Sequence, residues 1–97
     1  MQFLITAYDG KDDGAALRRA NARPAHLECV RKFKALGRHL YGGAILDEHG
    51  NMTGSMMVVD FPTRQALDEW LSIDPYVTGN VWQEIEVRPF RVAETFL

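Results

Sequence analysis

Residues 39–61, HLYGGAILDEHGNMTGSMMVVDF, decide the fold. Two runs rich in β-formers, His39–Leu46 and Met52–Phe61, flank the polar loop DEHGN at 47–51, and Pro62 stops the second run. That pattern reads as a pair of adjacent strands joined by a hairpin loop. Gly42-Gly43 marks a close backbone approach in the first strand, and Gly54 marks a bulge in the second. Downstream, Thr63 reads as the N-cap of a helix over Arg64–Ser72, with Ala66, Leu67, Trp70 and Leu71 on one stripe. Asp74-Pro75 ends that helix, because a residue before proline avoids the α region. An irregular stretch reaches Gly79, and Val81–Val92 is the last strand, with Pro89 sending its end to a sheet edge or an arm.

Upstream, Pro24–Leu36 reads as a helix with Pro24 at its first position, where the missing N–H costs nothing. Leu27, Val30, Phe33 and Leu36 recur every three residues as its apolar face, and Gly37 supplies the C-cap. Asp13–Arg19 adds a helical turn or two, interrupted by Asn21 and Pro24. Gln2–Tyr8 (QFLITAY) is almost continuously apolar and reads as a central strand that stops at the Asp9-Gly10 turn. The order is β-α-β-β-α-β, an α+β ferredoxin-like arrangement with an antiparallel sheet and two helices on one of its faces. The other face then needs a cover, most simply a second copy about a twofold axis, so a homodimer or a higher assembly of dimers is expected.

Ninety-seven residues predict one domain spanning 1–97. A 46% hydrophobic and 25% charged composition is that of an ordinary globular chain. The net charge of -2 leaves no cationic excess to neutralise phosphates, so nucleic acid is not an expected partner. An RNA-recognition domain on the same element order fares no better, because strands one and three lack the basic-aromatic motif it needs. The single cysteine, Cys29, can form no internal disulfide and no thiolate zinc site, which suits a reducing compartment. No stretch has the length of a membrane span or the flanks of a signal peptide. A cytoplasmic protein is the expectation.

Several short features line up in order along nearly the whole chain: Arg23-Pro24-Ala25-His26, Gly42-Gly43, Gly54-Ser55, Asp74-Pro75-Tyr76, Gly79 and Val87-Arg88-Pro89-Phe90. Together they resemble the YciI-like family. The resemblance implies a dimeric α/β-barrel of two ferredoxin-like halves, with a site centred on a His–Asp pair that falls here on His26 and Asp74. It also implies a serine beside that pair, matched by Ser55. The best-described chemistry of the family is cofactor-free dehydrochlorination of a chlorinated hydroxyquinol, and muconolactone isomerases share the wider superfamily. Ala44 stands where members often carry proline, a local departure in the second strand. A superfold hosts many functions, so the fold alone selects none of them.

Each candidate residue has a functional and a plainer reading. His26, at the third position of the helix begun by Pro24, is the side chain best suited to pass protons near neutral pH. A helix N-terminus there favours its neutral form and a nearby carboxylate the charged one; the plainer role is a half-buried histidine bonded to backbone. Asp74 either caps the turn that Pro75 begins or orients His26, and two carboxylate oxygens allow one role each. Ser55 is a donor to a substrate oxygen or an ordinary strand serine. Tyr76 lines the pocket and offers its phenol to a ligand, and Arg23 binds an anionic substrate or pairs with a surface acid. Trp70 and Trp82 read as core or dimer-interface residues, and Cys29, Met52, Met56 and Met57 as packing. His39 and His49 show no ligand-like spacing, so no metal and no cofactor are expected.

Two function classes follow. One is a cofactor-independent lyase or isomerase acting on a small oxygenated cyclic compound, with His26 moving the proton, Asp74 holding the imidazole, and Ser55 and Tyr76 on substrate oxygen. The other is a non-catalytic small-molecule-binding or regulatory module using the same dimer cavity.

Overall fold

The computed structural model describes residues 1–97. The elements follow in the order β1 (Gln2–Asp9), α1 (Ala15–Ala35), β2 (His39–Leu46), β3 (Met52–Asp60), α2 (Arg64–Ile73), α3 (Pro75–Thr78) and β4 (Trp82–Phe90), with a closing 3₁₀ turn at Glu94–Phe96. The four strands pair antiparallel in the order β2-β3-β1-β4. This is the ferredoxin-like α+β fold expected of the β-α-β-β-α-β order. β1 lies between β3 and β4, as its apolar run requires, and β4 is an edge strand, where Pro89 costs no ladder bond to a further neighbour.

Alternation on β1 puts Phe3, Ile5 and Ala7 on the helix side of the sheet, opposite Val59, Met57 and Ser55 of β3. Leu67 and Trp70 of α2 close over them, with Tyr76, Val81 and Trp82 completing the core. Thr63 caps α2 by accepting the Ala66 N–H at 3.0 Å. Both tryptophans belong to this core, so the interface alternative is not needed for them. No helix is long and apolar enough to cross a membrane.

Three expectations are corrected. First, α1 does not begin at Pro24; it runs unbroken from Ala15 to Ala35 with Pro24 inside it. An interior proline deletes one helix bond and costs about 3 kcal/mol in isolation. Here the preceding residues, AALRRANAR at 15–23, are largely strong helix formers, and Pro24 sits on the exposed face. Second, α1 does not bury the Leu27-Val30-Phe33-Leu36 stripe as a whole: Phe33 alone of the four packs against the core, beside Phe61 and Trp70. The buried residues of α1 are Ala15, Arg19 and His26, while Leu36 is 61% exposed and Leu27 and Val30 are half-buried. Apolar spacing misleads because the two buried polar side chains are paired, which lets them occupy core positions. Third, Asp9 is not a turn residue but the buried last residue of β1. At its other end α1 stops in a Schellman arrangement: Gly37 takes φ +74, its N–H goes to the Lys34 carbonyl, and the Arg38 N–H goes to Phe33.

The irregularity near Gly54 is present: the β2–β3 pairing jumps from Ile45↔Gly54 to Leu46↔Met52 and skips Thr53. The close approach at Gly42-Gly43 holds for Gly42, where a Cβ would stand 3.0 Å from the Met56 carbonyl oxygen, and not for Gly43. Gly54 is tighter, since a Cβ there would sit 2.5 Å from the Ala7 carbonyl oxygen of the neighbouring strand. Gly54→Ala therefore forces two central strands apart. It is expected to lower the urea midpoint by the equivalent of about 1–3 kcal/mol, with the denaturant slope unchanged.

Candidate functional site

The continuous α1 places Arg19 and His26 seven residues apart, two turns along the same buried face. His26 is 8% exposed and sits mid-helix, away from the helix N-terminus. What acts on it is Asp74, brought over from the α2–α3 junction. His26 Nδ1 lies 2.8 Å from Asp74 Oδ1, and Asp74 is fully buried. Pro75 explains the position: it starts α3 at N1 and holds Asp74 extended (φ -63, ψ 133) as the cap, with the Tyr76 N–H donating to Asp74 Oδ1 at 2.8 Å. Capping and contact with His26 thus share one oxygen, in place of the expected division between two. Oδ2 is buried and takes no partner.

This arrangement fixes the imidazole. An ionised carboxylate only accepts, so Nδ1 carries the hydrogen and donates it to Oδ1. Nε2 is left as the lone-pair nitrogen, and it belongs to a side chain that lines a cavity of about 310 Å³. Tyr76 stacks flat on the ring, with centroids 3.8 Å apart and planes 11° from parallel, and Trp82 meets it edge-on at 5.7 Å. The ring cannot turn without breaking these contacts. Burial pushes the Tyr76 phenol above its usual range, so it remains a neutral donor.

A second buried cluster adjoins the first. Arg19 Nη1 bonds both oxygens of Asp9 at 2.8 and 3.0 Å, and its Nη2 donates to Ser55 Oγ at 2.9 Å. Trp82 Nε1 donates to the same Ser55 oxygen at 3.2 Å. The Arg19 guanidinium lies 4.7 Å from the centre of the Tyr76 ring, which joins the two clusters. Of the residues singled out from sequence, His26, Ser55, Tyr76 and Arg23 line one cavity and Asp74 lies directly behind His26. Arg23 stands exposed and enters no ion pair.

Sequence reading missed Asp9 and Arg19 and set His39 aside. The signal for Arg19 was its seven-residue spacing from His26, legible once the helix is carried through Pro24. His39 also lines the cavity, packed edge-on to Trp70 at 6.0 Å between centroids. Burial, with the charge of His26 as the lesser cause, pushes His39 below its ordinary 6.5. The unfolded chain therefore takes up a proton at His39 before the folded one does. Stability is expected to fall as pH drops from about 7.5 to 5.5, and a His39→Gln protein is expected to lose less over that range when urea midpoints are compared. His49 is exposed in the hairpin loop. The Cys29 thiol is raised chiefly by burial and then by Asp74, which keeps it protonated and unreactive. No three His, Cys, Asp or Glu side chains gather closely enough to hold a metal ion.

Comparison with known proteins bears on this site. The YCII-related domain family matches residues 1–91. Protein YciI of Escherichia coli strain CFT073 is 31% identical over 97 residues, covering 94% of this chain and 97% of that protein. An uncharacterised protein of Haemophilus influenzae is 34% identical with the same coverage. Among solved structures, the 5-chloro-2-hydroxyhydroquinone dehydrochlorinase of Burkholderia phenoliruptrix, in complex with 2,5-dihydroxybenzoquinone, superposes with a TM-score of 0.82 at 22% identity, covering 98% of both chains. A dimeric ferredoxin-like protein of unknown function from Jannaschia superposes at 0.53 with 14% identity, covering 94% of this chain and 98% of that one. These two structural likenesses are likenesses of fold.

Proposed function

We propose, from the premise that this chain belongs to the YCII-related domain family, that it is a cofactor-independent lyase or isomerase for a small oxygenated cyclic compound. His26 is its proton carrier. The observation that carries this reading is the 2.8 Å contact of His26 Nδ1 with buried Asp74, which leaves Nε2 as the basic nitrogen of a cavity-lining ring. An imidazole held in one tautomer by a carboxylate is the usual arrangement of a histidine general base.

In the forward step Nε2 takes a proton from a hydroxyl or an acidic carbon of the substrate. The electron pair released forms a new double bond. In an elimination it expels a leaving group such as chloride; in an isomerisation the imidazolium returns the proton at another atom. Asp74 stabilises the charged ring through Nδ1, and Ser55, Tyr76 and Arg23 hold the substrate. The dehydrochlorinase that shares the fold acts on a substrate of this type. We assign the protein to the cytoplasm and take its working form to be a homodimer, in which a second copy covers the sheet face opposite the helices. Tyr41, at 70% exposure on β2, presents an aromatic ring that a partner would shield.

Turnover tests the reading. Chlorinated hydroxyquinols and hydroxylated lactones are offered to the wild type and to a His26→Gln protein, following chloride release and ultraviolet absorbance. Turnover that disappears in His26→Gln supports it. Equal turnover by both proteins overturns the role of His26, and small-molecule binding without turnover favours the non-catalytic module.

A further inference from the structure

His39 opens β2 on the helix side of the sheet and is 5% exposed, yet the mechanism above makes no use of it. It lines the same cavity as His26. It also lies outside the short features by which the chain resembles its family, so what it does there is a property of this chain.

Its two ring nitrogens have different surroundings. Nδ1 is sealed from solvent and has no hydrogen-bond partner. Nε2 lies beside Gly42, where a Cβ would stand 3.0 Å from it and also 3.0 Å from the Met56 carbonyl oxygen. Glycine at this position leaves open a gap that any side chain would fill, and Gly42 lines the cavity as well. Nε2 is therefore the nitrogen that can reach a ligand.

A neutral imidazole has one N–H and one lone pair. Burial holds His39 below its ordinary 6.5, so the neutral ring is the form present near pH 7. A hydrogen on Nδ1 would be a buried donor without an acceptor, which carries the full desolvation cost of that group. A hydrogen on Nε2 instead meets the gap beside Gly42, bordered by the Met56 carbonyl. The Tyr41 backbone acts on the ring as the least of its influences. The two histidines thus present opposite chemistry to one cavity, a bare Nε2 on His26 and an Nε2–H on His39.

We infer that His39 is a specificity-determining residue of the cavity, its Nε2–H donating to an acceptor atom of the ligand. A ligand that satisfies both histidines carries an acceptor, such as a carbonyl oxygen, in addition to the proton that His26 removes. One without the acceptor leaves a donor unpaired and binds less well. His39 gives a hydrogen bond and keeps its proton, so the proton balance of the reaction is unchanged. The inference rests on the reading of this cavity as the reaction site and adds a selecting residue to it.

γ-Pyrone, a single ring with a carbonyl oxygen and no hydrogen to donate, is the probe. Binding is followed by amide chemical shifts, the His39 ring by long-range ¹⁵N–¹H NMR, and the folding of each variant by thermal melts. The wild-type His39 ring is expected to carry its hydrogen on Nε2, with the Nε2 resonance moving on addition of γ-pyrone. His39→Leu deletes the donor and is expected to lower γ-pyrone affinity by about fivefold, the loss of one neutral hydrogen bond. His39→Gln places an amide N–H near the position of Nε2 and is expected to bind within about twofold of wild type. A histidine that served only packing would not give that split between two folded variants. A hydrogen on Nδ1 in free and bound protein, no γ-pyrone shift at Nε2, or equal affinity in wild type and His39→Leu overturns the assignment. γ-Pyrone binding that depends on His39 in a protein that turns over no substrate leaves the donor standing and removes the enzyme reading. Turnover and γ-pyrone binding both unchanged in His39→Leu do the reverse.

Discussion

Replacing His26 with Ala is expected to lower turnover by about two to four orders of magnitude, the usual share of a positioned acid–base group. The loss should fall on kcat, because the imidazole is needed when the proton moves, while Ser55, Tyr76 and Arg23, the proposed ligand contacts, still line the cavity. Asp74 divides the effect further. Its Oδ1 accepts both the Tyr76 N–H and the His26 ring, so the backbone pins that position as an acceptor. Asp74→Asn can keep its carbonyl oxygen there and preserve the tautomer while deleting the charge that favours the imidazolium. A fall of about ten- to a hundredfold in kcat is expected, smaller than for His26→Ala. Asp74→Ala removes the cap and the orienting contact together, so its turnover should approach that of His26→Ala, with a measurable loss of stability.

Arg19→Ala is the largest expected loss of stability. Arg19 and Asp9 have side chains only 7% and 5% exposed, and their contact is 2.8 Å. Deleting one partner strands a buried charge and costs about 3–5 kcal/mol. The change also removes a donor from Ser55 and the cation over Tyr76. A domain of this size is commonly stable by about 5–15 kcal/mol, so the variant is expected to melt more than about 10 °C below wild type. Replacing both partners with apolar residues, Arg19→Met with Asp9→Leu, should recover most of that loss, because no charge is then left unpaired. Thermal melts of the two proteins and wild type check both statements. A single variant as stable as wild type would show that the pair does not act as a buried unit.

How much of this was legible in the sequence follows from where each signal lies. The central strand, the β2–β3 pair and the Thr63 cap are local patterns, a few residues long, and they carry the element order and so the fold. Proline was the misleading local signal. Pro24 has the chemistry of a helix start, and only tertiary packing shows that α1 runs through it. The candidate site divides the same way. Asp74 as the cap of α3 could be read from Asp-Pro-Tyr alone. Its contact with His26 spans 48 positions, and no periodicity reports such a distance. That juxtaposition was expected only because of the family resemblance. Asp9 and Arg19 went unread because charged residues near a turn normally face solvent. Their mutual neutralisation inside the molecule is a property of the folded chain.

The central claim is that His26 carries its proton on Nδ1, toward Asp74, and presents a bare Nε2 to the cavity. Long-range ¹⁵N–¹H NMR of the neutral His26 ring reads this directly. The account predicts a protonated Nδ1 and an unprotonated Nε2 in wild type, retained in Asp74→Asn and lost in Asp74→Ala. A His26 ring protonated on Nε2 in wild type would contradict it.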